Sequence, residues 1–180
     1  MSIYVKNILR FFIIMLIQQL LLNQIHLRLW GNELGGAPPY IPFLYPLIVL
    51  LLPITVNNNY ILFLSFLVGL TVDIFMDTGG MHAAACTVMA FCRGPILTMI
   101  LPTKKEEYRM EEPGRKNLGF NGFIVYGIIL LSIHHLVFFI QEIWSVKYMS
   151  YFLIKFFATL LTSIIFLFVQ VSLFDKKPSR

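Results

Sequence analysis

Charged residues are scarce in this sequence. Asp, Glu, Lys and Arg make up 13% of its 180 residues, whereas apolar residues make up 58% and the mean hydropathy is +0.77. A water-soluble domain averages about 25% charged residues, and a small domain cannot bury this much apolar surface because much of its surface stays in water. The composition therefore excludes an ordinary soluble domain and favours a protein that lies in a lipid bilayer.

The sequence also lacks the motifs of several enzyme classes. It contains no P-loop, no Gly-rich nucleotide fingerprint, no HExxH pair and no nucleophile-elbow serine. Its two cysteines, Cys86 and Cys92, lie six residues apart in one apolar run, a spacing that fits neither a metal site nor a disulfide. Nothing here indicates a hydrolase or an ATPase, and the cysteines are expected to be small packing residues.

Long apolar runs are abundant. Windows of about 20 apolar residues predict an all-α integral membrane protein, a single domain with six transmembrane helices. The approximate bounds of the spans are 8–27, 41–56, 60–76, 81–101, 120–140 and 150–174. The second span is short and contains Pro42, Pro46 and Pro53, so we expect a kinked or tilted helix there. The inner polar loop at 102–119 is either a solvated linker or a docking surface.

Basic residues outside the spans are biased to one side of the predicted bundle. With six spans, ten lie on the side of the N-terminus, and only Arg28 and Lys147 lie opposite. The ten are Lys6, Arg10, Lys104, Lys105, Arg109, Arg115, Lys116, Lys176, Lys177 and Arg180. Since Lys and Arg accumulate on the cytoplasmic side of membrane proteins, both termini are predicted to be cytoplasmic. This distribution favours contact with anionic lipid headgroups over nucleic-acid binding.

Polar residues recur at one depth of the predicted bundle. Asp73 lies ~20 Å along the third span, and Asp77 lies one turn later on the same face. The residues at a similar level in other spans are Gln18, Gln19, Asn23, Gln24, His26, His82, His134, His135, Glu142 and Lys155. Because polar groups in a membrane face the bundle interior or a wet cavity, they predict a polar layer in the outer half of the bundle.

The two aspartates have different expected roles. Asp73 is deep enough to need a partner, with His134, His135 or Lys155 as candidates. Asp77 lies nearer the outer surface, where it is expected to sit in headgroup water and to cap the start of the fourth span. The favoured role for the polar layer is interhelical hydrogen bonding, worth roughly 0.6–2 kcal/mol for each contact.

The histidine pair and the fourth span leave further alternatives. A metal site is disfavoured because adjacent histidines on a helix point about 100° apart, and a proton relay because Arg93 is the one charged residue in the inner half. Gly94 and Pro95 are expected to bend or end the fourth span, so that Arg93 snorkels to inner headgroups. Small residues give the fourth span a narrow face: Ala83, Ala84, Ala85, Cys86 and Ala90. Because such faces let helices approach closely, this span is predicted to lie at the centre of the bundle.

One segment carries a family resemblance. The stretch FLVGLTVDIFMDTGGMHAAACTVMAFCR, residues 66–93, resembles the central segment of the rod shape-determining protein MreD family, which reads G-L-x-x-D-x-F, a small polar turn, G-x-H-A and an alanine-rich helix ending at Arg. The matching positions are Gly69, Asp73, Gly80, His82 and Arg93. The stretch SIHHLVFFIQE, residues 132–142, is similar to the family's fifth span, which carries a histidine and then a glutamate.

The resemblance implies a fold and a function. It implies six helices arranged like the S components of vitamin-uptake transporters, a place in the bacterial inner membrane, and no catalytic activity or cofactor. It further implies a scaffold of the cell-wall elongation complex, or elongasome, which determines rod shape through peptidoglycan synthesis. MreC is the implied partner, with MreB, RodA and its penicillin-binding transpeptidase reached indirectly. The alternatives are a substrate-binding S component and, more weakly, an ion- or proton-coupled transporter.

Overall fold

The computed structural model describes residues 3–24, 42–108, 110–142 and 149–174, and every regular element within these ranges is helical. The α-helices are α1 (Ile3–Leu20), α2 (Pro46–Leu50), α3 (Asn58–Met76), α4 (Met81–Ile100), α5 (Arg115–Glu142) and α6 (Met149–Phe174). Two 3₁₀ helices are Leu22–Gln24 and Lys105–Tyr108. The predicted outer loop near 28–40 lies outside the described residues, as do His26, Arg28, Arg109, Lys147, Lys176, Lys177 and Arg180.

Among the described residues, five helices are long and apolar enough to cross a membrane. These are Val5–Gln24, Asn58–Met76, Met81–Ile100, Arg115–Glu142 and Phe152–Gln170. Their outward faces carry large apolar side chains; Phe63, Ile74 and Phe157 are each more than half exposed. Such faces suit lipid rather than water, and the all-helical class predicted from composition is confirmed for these ranges.

The predicted second span is not a continuous helix. In its described part, which we call the broken segment (42–56), only Pro46–Leu50 is α-helical and turns follow. Prolines cause the break, because Pro46 has no N–H to donate and fits only the first helical turn, while Pro53 cannot extend the helix. The segment is nevertheless buried, with Tyr45 and Ile54 both 0% exposed. Non-helical backbone is tolerated at membrane depth only where protein covers it.

Side chains from α1 and α6 satisfy the backbone at the start of the broken segment. The Gln18 amide oxygen accepts the N–H of Leu44 at 2.7 Å, and its nitrogen donates to the carbonyl of Pro42 at 3.1 Å. The Ser163 hydroxyl donates to the carbonyl of Phe43 at 2.7 Å. Two helices therefore supply the hydrogen bonds that a regular helix would have supplied internally.

The carbonyls of residues 50–53, at the other end of the broken segment, are satisfied in the same way. The Tyr126 hydroxyl donates to the carbonyl of residue 50 at 2.7 Å, and Arg10 donates to the carbonyl of residue 51 at 3.3 Å. Arg93 donates to the carbonyls of residues 52 and 53. Side chains from α1, α4 and α5 thus replace the intrahelical donors that the end of α2 lacks.

Arg93 does not snorkel to headgroups as predicted. Its side chain is 0% exposed, and α4 continues through Gly94 and Pro95 to Ile100. The prediction assumed that Gly94 and Pro95 end the fourth span near Arg93, and it did not take into account the carbonyls that the broken segment leaves free. A guanidinium has five N–H donors in a planar fork, and here the free carbonyls of the broken segment attract it inward.

Each end of the bundle has its own landmarks. The loop end holds residues 101–108 and 110–114, to which the start of α1 is tied by a 2.9 Å ion pair between Lys6 and Glu112. The N–H of Ile54 donates into the same loop at 2.7 Å. The turn end holds the α3–α4 turn at 77–80. The broken segment therefore runs from the turn end to the loop end, and α4 lies between α3 and α5.

Candidate functional site

Asp73 caps the helix that follows its own. Its carboxylate is 5% exposed and accepts the backbone N–H groups of His82 at 3.0 Å and Ala83 at 2.8 Å. The Thr78 hydroxyl donates to the same carboxylate at 2.5 Å. The two N–H groups belong to the first turn of α4, which has no intrahelical acceptor for them and favours a negative charge. One side chain thereby bonds two helices together.

This geometry corrects two predictions about the aspartates. The partners of Asp73 in the described chain are backbone amides and a threonine, not His134, His135 or Lys155. Asp77 does not cap α4 with its side chain; it is exposed and ends α3 in the left-handed conformation at φ 54°. Asp73 takes the capping role because the backbone reverses between the two helices and brings the amides of α4 back beside it.

Two glycines shape the same hairpin. A Cβ atom at Gly69 would lie 2.4 Å from the Cα of Ala83, so a larger residue would force α3 away from the start of α4. Gly80 has φ 95° and precedes α4 directly. That left-handed conformation is strained for residues with a side chain. The glycines let the two helices approach closely enough for Asp73 to reach its amides.

A buried chain of hydrogen bonds joins α4, the broken segment, α5 and α6. The Tyr45 hydroxyl lies 2.6 Å from His82 Nδ1 and 2.8 Å from His134 Nε2. His134 Nδ1 lies 3.0 Å from His135 Nδ1, and His135 Nε2 lies 3.0 Å from Ser163 Oγ. We name these five residues the histidine chain, and each is 0% exposed.

One placement of hydrogens makes every contact of the histidine chain a hydrogen bond with neutral rings. Ser163 donates to a backbone carbonyl of the broken segment, so His135 donates to Ser163 from Nε2. His134 then donates to His135 from Nδ1 and accepts the Tyr45 hydroxyl at Nε2. His82 donates to Tyr45 from Nδ1, which leaves the Nε2 lone pair of His82 without a partner among the described residues. These tautomers follow from the network.

The histidine chain is built to connect elements. Ser163 and His135 do not form a nucleophile–base pair, because the serine hydrogen is already donated elsewhere and the facing histidine nitrogen carries its own hydrogen. The Phe43 ring packs edge-on against His82 at 5.2 Å and His135 at 5.9 Å, which fills the space between them. In the described ranges, no group of three or more His, Cys, Asp or Glu residues could hold a metal ion.

A second polar contact ties α5 to α6 beyond the histidine chain. Lys155 Nζ lies 2.5 Å from a carboxylate oxygen of Glu142, with side chains 6% and 20% exposed. The ammonium also lies 5.5 Å from the ring centroid of Phe139, a favourable cation–π distance. The ammonium of Lys155, a predicted partner of Asp73, therefore forms its ion pair with Glu142 instead.

Comparisons with protein-family models, curated proteins and solved structures find no match. The site is therefore interpreted from its own geometry. Gly69, Asp73, Gly80 and His82 lie together at the turn end, on the α3–α4 hairpin. Arg93, the last residue of the motif, lies near the loop end and serves the broken segment instead.

Tyr45 and Ser163 are members of the histidine chain that the sequence analysis did not predict. Tyr45 gave no signal, because an aromatic residue in an apolar run is ordinary. For Ser163 a signal was present in the sixth span, where Lys155, Thr159 and Ser163 recur every four residues. That spacing places them on one helix face, and all three are buried.

Proposed function

We propose that this chain is a non-enzymatic scaffold of the bacterial cell-wall elongation complex, similar to MreD. Its role is to present a fixed membrane surface to MreC and, through MreC, to organise MreB, RodA and its penicillin-binding transpeptidase. Rod shape and peptidoglycan synthesis would then depend on the surface of the bundle and on no reaction within it. The resemblance of residues 66–93 and 132–142 is the starting point for this proposal.

One observation carries it: the polar residues of the motif are engaged in holding the bundle together. Asp73 bonds α3 to α4, His82 enters the histidine chain, and Arg93 satisfies the broken segment. A component that binds a small molecule needs convergent polar groups facing a cavity. A scaffold needs an interior that holds one shape, and these contacts provide one.

The topology is part of the proposal. Five long helices and the broken segment would cross the membrane six times, in an arrangement like that of the S components. The loop end carries the basic residues Lys104, Lys105, Arg115 and Lys116. The positive-inside rule then assigns the loop end, with both termini, to the cytoplasm.

Affinity purification tests the proposed partners. The tagged chain is expressed in a rod-shaped bacterium, solubilised in mild detergent and purified, and its companions are identified by mass spectrometry. Recovery of MreC with wall synthases is expected, and an unrelated tagged six-helix membrane protein serves as the control. Recovery of an ATPase pair without MreC would contradict the scaffold and indicate a transporter component.

Complementation separates a scaffold from a protein that works through its polar interior. His135→Gln keeps a polar side chain but disturbs the histidine chain, and cells that carry it are scored for cell width and for the amount of folded protein. For a scaffold, loss of shape should follow loss of folded protein. Loss of shape at normal accumulation and normal MreC binding would argue for a function of the histidine chain itself.

A further inference from the structure

The histidine chain has a free acceptor at one end. Nε2 of His82 is buried and makes no hydrogen bond among the described residues. The other ring nitrogens of the chain each lie in a contact of 2.6–3.0 Å. His82 belongs to the first turn of α4, at the turn end. Its Nε2 is therefore the ring atom at which a hydrogen can be added without opening a contact of the chain.

A count of hydrogens shows how many protons the histidine chain can hold. Four contacts join its five residues. When the rings are neutral, four hydrogens fill these contacts, one from each residue except Ser163, whose hydrogen goes to a carbonyl of the broken segment. A fifth hydrogen fits at Nε2 of His82. A sixth would place two hydrogens in one contact, and that contact would break because a hydrogen bond needs an acceptor.

The charge of a fifth hydrogen can be shared along the chain. If the hydroxyl hydrogen of Tyr45 passes to Nε2 of His134 while the Nδ1 hydrogen of His82 passes to the Tyr45 oxygen, the charged ring becomes His134. A further shift of one hydrogen from His134 to His135 makes His135 the charged ring. In all three forms each contact keeps one hydrogen, and Nε2 of His82 carries one.

A buried negative charge lies near the free acceptor. Asp73 is 5% exposed and belongs to none of the ion pairs of the described residues, and its charge acts on the ring of His82. Burial opposes a charge on the ring, whereas a nearby opposite charge favours it. The ring of Phe138 stacks on that of His82 with centroids 4.4 Å apart, and the face of an aromatic ring attracts a cation. Two neighbours thus stabilise a protonated His82.

The other titratable groups around the histidine chain add no net charge. Lys155 of α6 and Glu142 of α5 form an ion pair with each other. The thiol of Cys86, on α4, lies near Tyr45, and a thiol is uncharged at neutral pH. From α1 the chain is met by Gln18, which does not titrate and accepts the backbone N–H of Tyr45 at 3.3 Å. Asp73 is therefore the charge that decides the electrostatics of this region.

We propose that the histidine chain binds a single proton, and that Nε2 of His82 carries a hydrogen whenever the proton is bound. A hydronium ion at the turn end supplies the proton, one N–H bond forms, and the water left behind is the acceptor that the new N–H needs. Because the neutral and the protonated chain have the same contacts, uptake leaves the bundle intact. A second proton would break a contact that holds the broken segment.

Nitrogen NMR of the full chain, labelled with ¹⁵N-histidine and held in lipid nanodiscs, tests the proposal. A His26→Gln background leaves three histidines, and their signals are assigned by single His→Gln changes. At neutral pH the hydrogen is expected on Nδ1 of His82 and His134 and on Nε2 of His135. On acidification Nε2 of His82 should gain a hydrogen. Any shifts of the other two rings should share its midpoint, and the changes should add up to one proton.

Two buried tyrosines provide the first matched pair of variants. Tyr45→Phe removes the hydroxyl that joins His82 to His134, so the single midpoint should split into two independent ones. Tyr126→Phe removes an equally buried hydroxyl that bonds a backbone carbonyl outside the histidine chain, so the single midpoint should remain. One shared midpoint in Tyr45→Phe would show that the three rings are not coupled through this hydroxyl, and the proposal would fail.

Two aspartates of the α3–α4 hairpin provide the second pair. Asp73→Asn keeps an acceptor for the amides of α4 but removes the charge, and it should weaken proton binding about tenfold, a shift of the midpoint by about one pH unit to the acid side. Asp77→Asn removes an exposed charge nearby and should shift the midpoint much less. Equal shifts would overturn the role given to Asp73.

Three results with the native residues of the histidine chain would overturn the proposal, so the test does not depend on the folding of a variant. They are a hydrogen on Nε2 of His82 at neutral pH, separate midpoints for the three rings, and no proton uptake by His82 before the protein unfolds in acid. The scaffold proposal is tested separately, by co-purification with MreC.

Discussion

Asp73 accepts hydrogen bonds from the free amides at the start of α4, a role that usually belongs to the N-cap residue of the same helix. The N-cap position of α4 is Gly80, which has no side chain to offer. The carboxylate of Asp73 bonds the second and third amides of α4 in its place. A single residue thus couples the start of one helix to the packing of another, and its substitution should loosen both.

Substitution of Asp73 should destabilise the protein in proportion to the hydrogen bonds lost. Asp73→Ala should cost about 1–2 kcal/mol, the upper range for a lost cap, and Asp73→Asn should cost less because its amide oxygen still accepts. Unfolding of the detergent-solubilised protein measures this. Asp77→Asn is the control, since Asp77 is exposed and ends α3 through its backbone. Similar losses at the two positions would refute the capping role.

Gly69 should tolerate no side chain. Gly69→Ala places a Cβ 2.4 Å from the backbone of Ala83, and overpacking of this kind typically costs 1–3 kcal/mol. Gly94→Ala is the matched control on the next helix, where the nearest atom lies 3.5 Å away. It should be neutral or slightly stabilising, because alanine favours a helix. Thermal unfolding of both variants compares them, and an equal drop would contradict the close contact.

At the scale of single residues, the sequence indicated which polar groups are buried better than it indicated their partners. The depth of Asp73 in an apolar run predicted a partner correctly. The candidates were wrong because only side chains were considered, and the donors are backbone amides of His82 and Ala83. Backbone amides are the same in every sequence, so only the path of the chain reveals which ones are free.

The broken segment is the element on which the others converge. Three prolines predicted its irregularity, but its burial could not be read from the same residues. An apolar run looks alike whether it faces lipid or protein. The burial of the segment depends on residues in other helices. In the sequence, Gln18, Arg10 and Ser163 look like isolated polar residues, and only the structure shows that they form hydrogen bonds with the backbone of the broken segment.

Loss of one of these donors should destabilise the whole bundle. Ser163→Ala leaves the carbonyl of Phe43 buried without its 2.7 Å hydrogen bond, and an unsatisfied buried acceptor costs about 1–3 kcal/mol. Ser65→Ala is the matched control, because that buried hydroxyl bonds the carbonyl of Ile61 within its own helix and its loss should have little effect. Unfolding in detergent distinguishes the two, and equal stability of both variants would argue against the donor role.

For the whole molecule, composition and charge predicted the helical membrane class, and the long apolar runs located the five long helices found among the described residues. The count of long helices differed by one from the prediction because the second apolar run is a short helix with turns. Five long helices alone would put the chain ends on opposite faces. In the proposed topology the broken segment adds a sixth crossing, which would return both chain ends to one face, and this orientation can be tested directly.

Thiol labelling tests that orientation. In a background with Cys86→Ala and Cys92→Ala, Met149→Cys at the turn end should react with a membrane-impermeant reagent once the outer membrane is permeabilised. Glu107→Cys at the loop end should react only after lysis, because the positive-inside rule assigns the loop end to the cytoplasm. Both residues are exposed in the structure. Equal labelling in intact cells would exclude the proposed topology.

The broken segment also constrains the order in which the chain can be assembled. Tyr126 and Ser163 donate to it, yet both are synthesised after it. Until they emerge, the carbonyls of Leu50 and Phe43 lack these donors, and each would cost several kcal/mol in lipid. We therefore expect the nascent segment to wait in water or beside the insertion machinery while the later helices enter the bilayer. The piece of chain at the centre of the finished bundle would be among the last to settle there.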